Sequence, residues 1–189
     1  REIPFDDDGD FSWPRFESRY TADLANTLGN LTSRVAALVT RHAPDGCVPR
    51  QIERDRAGTV ADAIQVTEVR NALATERYVA AFDAFAPHEA LSAAFDTLVA
   101  GNELISRTAP WALATDPARR DDFDRTIRAA VTLLAQAAVL LWPVIPVTAE
   151  CLWRSLGGPG CVKEQRLANI GQLDPTGWRV ARIPPLFPR

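Results

Sequence analysis

"FESRYTADLANTLGNLTSRVAAL", residues 16–38, decides how the rest of this chain is read. Its apolar residues Phe16, Tyr20, Leu24, Leu28, Leu31, Val35 and Leu38 recur at steps of three and four, so they share one stripe of an α-helix. The helix is expected to start near Ser12, a residue type that caps helix N-termini, with Pro14 in the first turn. It is expected to stop at the turn-forming "RHAPDGCVP", residues 41–49.

Two polar side chains of this helix do not fit a plain core stripe. Asn30 and Arg34 stand one turn apart and share a face. Counting about 100° per residue from Phe16, Arg34 falls at about 0° and Asn30 at about −40°, at the edge of the stripe. Such a pair either caps or joins a neighbouring helix, or offers an amide and a guanidinium fork to a ligand such as a base edge. Spacing alone leaves both open.

Outward from this helix the punctuation repeats. The stretch 50–66, "RQIERDRAGTVADAIQV", is polar and weakly patterned and reads as a short helix with loops. A stronger helix should run from about Glu68 to Phe85. Pro87 fits the first position of the next, which should reach Thr108 with Leu91, Phe95, Leu98, Val99, Asn102 and Ile105 on its inner face. Asp116 as N-cap and Pro117 behind it open the longest apolar helix, through Ile127, Val131, Leu134 and Ala138 to Trp142. Pro143 and Pro146 break it, and it restarts until Gly157 and Gly158. With no alternating strand pattern and no internal repeat, the expected fold is an all-α bundle of about five main helices. Residues 1–13 read as an acidic linker, 14–158 as the bundle, and 159–189 as an irregular tail docking on it.

Asn102 sits within the apolar stripe of its helix, where a buried amide must find partners, in a neighbouring helix or in a ligand. Trp111 follows Pro110, which ends the helix before it and fixes where the ring points. A tryptophan there is either core or, if exposed, a stacking platform for bases. Trp142 and Trp153 flank the proline break and read as packing residues, while Trp13 and Trp178 are placed to dock the flanking segments.

Composition narrows the function classes. The formal charge of −3 excludes a generic basic surface, so nucleic-acid binding would need a local patch. Cys47, Cys151 and Cys161 show no metal-ligand spacing and read as free thiols in a reducing, cytoplasmic setting. No apolar run reaches the roughly 18 residues that would span a bilayer. There is no Gly-rich phosphate loop and no nucleophile elbow, and "DDD" at 6–8 and "DD" at 121–122 suit a linker and a helix first turn, so no catalytic or metal site is expected. The chain contains no methionine and begins at Arg1, so it is expected to be cut from a longer protein or to have lost an initiating segment.

Together these stretches resemble the anticodon-binding domain of methionyl-tRNA synthetase, a class I aminoacyl-tRNA synthetase. "REIPFDDDGDFS" (1–12) resembles the exit from that family's catalytic domain, and "RYTADLANTLGNLTSRV" (19–35) its first bundle helix. "GNELISRTAPWALATD" (101–116) is similar to the segment carrying its Pro-Trp pair, "LLWPVIPVTAECLWRSLG" (140–157) to its late helices, and "PLFPR" (185–189) to the end of its core. The resemblance implies a helical bundle that reads the CAU anticodon of methionine tRNA through Asn30, Arg34, Pro110 and Trp111, with Asn102 and Asn26 in support. It implies two partners, that tRNA and a parent catalytic domain, which would use ATP and carry zinc. The chain departs from the family in having no lysine close after the tryptophan, where "ALATDP" leads only to Arg119, and Lys163 is its single lysine. Signatures of the HIGH and KMSKS type are missing, so the chain itself is not expected to activate methionine. The alternative is a synthetase-derived scaffold or drifted paralogue that binds a protein partner. An exposed Trp111 beside Asn30 and Arg34 separates the two.

Overall fold

The computed structural model describes residues 8–50, 58–182 and 186–187. The remainder of the expected linker, residues 1–7, most of "RQIERDRAG" and most of "PLFPR" lie outside the described residues. The described chain is all-α, as the periodicity predicts, and its only β pairing is an isolated bridge between Cys47 and Arg179. α1 (Trp13–Arg19) passes through a π-helical segment (Tyr20–Gly29) into α2 (Asn30–His42) without a break. α3 (Thr59–Asp83) and α4 (Pro87–Thr108) follow, then the one-turn α5 (Pro110–Leu113), α6 (Arg120–Leu141) and α7 (Pro146–Ser155). With the first three segments counted as one helix, five long helices make the bundle.

The termini follow local chemistry. The Ser12 side chain accepts a hydrogen bond from the Arg15 N–H at 3.4 Å, and Asp116 accepts from the Ala118 N–H at 2.9 Å ahead of α6. Pro87, Pro110 and Pro146 each open a helix, where a missing N–H costs nothing.

α6 lies at the centre. Phe123, Ile127, Val131 and Leu134 are fully buried against Leu28, Leu31 and Val35 of the first helix and Leu98 and Ile105 of α4. Each such side chain contributes about 1.5–3 kcal/mol by leaving water.

Four expectations need correction. α3 begins at Thr59, well before Glu68, because its buried face is built from the small residues Ala63, Thr67, Asn71 and Ala74, which a search for large apolar side chains passes over. Val99 is 40% exposed, since it lies one residue round the helix from the buried Leu98. Trp142 is 37% exposed, because the chain leaves helical geometry at Pro143 and the ring stays at the surface. Phe16 is half exposed and the burial of the opening stripe starts only at Leu28. The π-helical turns between them are wider than α-helical ones, so a wheel counted from Phe16 loses its register. Trp13 correspondingly packs edge-on against Phe11 and Phe16, at centroid distances of 5.2 and 6.0 Å, rather than in the core.

The segment after α7 forms two 3-10 turns, Val162–Glu164 and Leu167–Gln172, and packs back on the bundle. Trp153 anchors it. The ring is fully buried, its Nε1–H donates to the Pro159 carbonyl at 3.1 Å, and Trp178 meets it edge-on at 5.1 Å. Gly158 is required here, since a Cβ would stand 2.4 Å from the Trp153 ring. Further on, the Val180 N–H donates to the Gly46 carbonyl at 3.0 Å and the Val48 N–H to the Trp178 carbonyl at 2.9 Å. A buried amide chain adds to this: Asn71 Nδ2 donates to Gln136 Oε1 at 2.6 Å, and Gln136 Nε2 donates to the Ile170 carbonyl at 2.9 Å. α3, α6 and the tail are thereby joined.

The Tyr78 hydroxyl donates to the Leu140 carbonyl at 2.7 Å, near the α6 C-terminus where carbonyls lack helical partners. Burial pushes its pKa from 10.0 up to about 12. The folded protein therefore keeps this proton at pH values where the unfolded chain has lost it, and stability falls as pH rises from 10.0 towards about 12. Urea unfolding across that window should show the decline, and Tyr78→Phe should make it shallower.

Candidate functional site

The site is assembled where α2, α4 and α5 meet. Gly101 of α4 lets the helices approach, since a Cβ there would stand 2.9 Å from Leu31 Cδ2. Asn102, next along the chain, is half-buried and bridges the helices: its Nδ2 donates to the Thr27 carbonyl of the π-helical segment and to Leu98 of its own helix, both at 3.1 Å. The amide donor of Asn102 is thus spent inside the protein, and its position serves to hold the first helix against α4.

α4 ends at Ala109, whose φ of 45° and ψ of 59° are left-handed, with its N–H bonded to the Ile105 carbonyl at 3.2 Å. A non-glycine residue there is strained by about 1–2 kcal/mol. Pro110 is buried directly behind it and starts α5. This sharp reversal turns Trp111 outward, 49% exposed. The Arg34 guanidinium lies over the Trp111 ring, 5.7 Å from its centroid. A cation at that distance is attracted by the ring's electron-rich face with about 0.5–1 kcal/mol at an exposed site.

Asn30 is exposed one turn before Arg34 on the same face of α2, and among the described residues its amide has no partner. Asn26 is exposed one turn earlier again, in the π-helical segment. The structure thus brings Arg34 and Trp111 into contact, sets Asn30 beside Arg34 by helix spacing, and gives Asn102 a bridging position. Asn26 and Asn102 line a shallow depression of about 450 Å³ with Thr27, Val99, Glu103, Ser106 and Arg107. Arg107 is not singled out by spacing in the sequence; its signal is a basic residue in the last turn of α4, shortly before the Pro-Trp pair. Arg34 and Trp111 bring a donor fork and an exposed aromatic ring into one contact, a surface suited to a flat hydrogen-bonding group such as a nucleobase.

Among the described residues no group of three or more His, Cys, Asp or Glu could hold a metal ion, all three cysteines are free thiols, and no helix is long and apolar enough to cross a membrane.

An exposed tryptophan in contact with a guanidinium gives this all-α bundle one open aromatic and cationic surface, and comparison with known proteins gives the domain a family. The model of the anticodon binding domain of methionyl tRNA ligase matches residues 55–179, and the chain belongs to that family. Methionine–tRNA ligase of Streptomyces coelicolor is 33% identical over 199 residues, covering 100% of this chain and 35% of its own length. That of Bacillus subtilis is 33% identical over 197 residues, covering 100% of this chain and 28% of its own. The crystal structure of apo Mycobacterium tuberculosis methionyl-tRNA synthetase superposes with a TM-score of 0.85 at 31% identity, over 100% of this chain and 37% of that one. The chain therefore spans about a third of the length of the relatives it matches.

Proposed function

We propose that this chain recognises the CAU anticodon of methionine tRNA, as the tRNA-binding part of an enzyme that joins methionine to that tRNA with ATP. One observation carries the reading: Trp111 is half exposed, with the Arg34 guanidinium over its ring and Asn30 open on the same helix face. Anticodon bases lie in a single-stranded loop, so they can be splayed out, stacked on an indole and read on their Watson–Crick edges. Trp111 would stack on the first anticodon base, aimed by Pro110. Asn30 and Arg34 would read base edges, with Asn26 and Asn102 in support, Asn102 by holding the helix that bears them. A buried Trp111 would have favoured the protein-binding scaffold, and the ring is half exposed. On this reading ATP and zinc belong to the parent enzyme.

The first test is specificity. Asn30→Ala should narrow the gap in affinity between a CAU stem-loop and one altered at a single anticodon base by about 1–3 kcal/mol, the worth of one good base contact. Titration at fixed salt reads this directly. An undiminished gap at all three anticodon positions would remove Asn30 from the reading group.

A further inference from the structure

Reading bases leaves the charge of the loop backbone unmet, and the net charge of this chain is −3. The shallow depression between the π-helical segment and α4 answers this. Two charged side chains line it, Glu103 and Arg107. Glu103 is engaged by Arg70 of α3 in an ion pair, so its charge is largely offset. Arg107 has no partner among the described residues and is exposed. It stands four residues before Trp111, across the left-handed reversal at Ala109, with the Ser106 hydroxyl next to it in the depression. The charge balance of the depression is therefore positive, four residues along the chain from the exposed indole, although the whole chain is acidic.

We propose that Arg107 binds a backbone phosphate of the RNA loop whose bases meet Asn30, Arg34 and Trp111. This rests on the anticodon reading above and adds the residue that binds charge rather than sequence. A guanidinium suits the role because its donor fork matches two phosphate oxygens. It also supplies the cation missing from "ALATDP" after the tryptophan. Arg107 in the last turn of α4 also favours the helix dipole, but that role would show in stability and not in the salt dependence of binding.

The test is the salt dependence of binding to a CAU stem-loop and to one altered at the first anticodon base. It uses the 189-residue chain and Arg107→Gln, Arg107→Lys and Arg166→Gln variants. Arg166 is exposed and does not line the depression, so it controls for net charge. Arg107→Gln should lower the slope of log affinity against log salt by about 0.7 and weaken both stem-loops alike, roughly fivefold at 0.1 M salt. Arg107→Lys should keep the slope, and the preference for CAU should survive in every variant. An unchanged slope in Arg107→Gln, or an equal change in Arg166→Gln, overturns the proposal while the anticodon reading stands. Equal affinity of the unsubstituted chain for the two stem-loops overturns that reading, and this inference with it, before any variant is made.

Discussion

Trp153→Ala should cost about 3–5 kcal/mol of stability, the range for emptying a large buried aromatic site. Against a total of about 5–15 kcal/mol for a domain, that leaves little. The loss has three parts. The ring is fully buried on the inner side of α7, its Nε1–H donates to the Pro159 carbonyl, and its edge-on partner Trp178 anchors the returning chain. Gly158 has no Cβ because the indole occupies that space, so the cavity left by alanine has no neighbour ready to fill it. Urea unfolding followed by circular dichroism measures the effect. Trp153→Phe should restore much of it, though not the hydrogen bond to Pro159.

Trp111→Ala should show the opposite signature. Stability should stay within about 0.5 kcal/mol, as for surface substitutions, because the ring is half exposed and its recorded partner is the Arg34 guanidinium. Affinity for the anticodon stem-loop should fall by about 1–3 kcal/mol through lost stacking. Trp111→Phe should recover part of that, since a smaller ring still stacks. Urea unfolding and stem-loop titration on one preparation separate the two quantities. A loss of stability approaching that of Trp153→Ala would make Trp111 a core residue.

These two tryptophans show where sequence is legible and where it stops. Large apolar side chains at steps of three and four, such as Leu28, Leu31 and Val35 or Ile127, Val131 and Leu134, announce the core because burial of area is the main force and helix geometry sets its period. Prolines and caps set helix starts for an equally local reason. The beginning of α3 is harder to read, since alanine and threonine pack closely there without raising hydrophobicity. The π-helical segment is invisible to a wheel that assumes one turn size, which is why Phe16 and Trp13 are outside the core.

At the site, periodicity places Asn30 beside Arg34, and resemblance adds Pro110 and Trp111. Neither can set Arg34 over the Trp111 ring, because that contact depends on how closely α2 and α4 approach at Gly101 and on the left-handed turn at Ala109. Asn102 illustrates the limit from the other side. Its place in an apolar stripe flags a buried amide, but only the fold reveals the Thr27 carbonyl it holds.

The most direct measurement is the titration of the 189-residue chain, and of its Trp111→Ala variant, with two anticodon stem-loops at fixed low salt, one carrying CAU and one altered at the first base. Anticodon reading predicts tighter binding of CAU by the unsubstituted chain, and weaker binding with a smaller preference when the indole that seats the first base is removed. Equal binding of both stem-loops by the unsubstituted chain, or affinities that loss of Trp111 leaves unchanged, contradicts it.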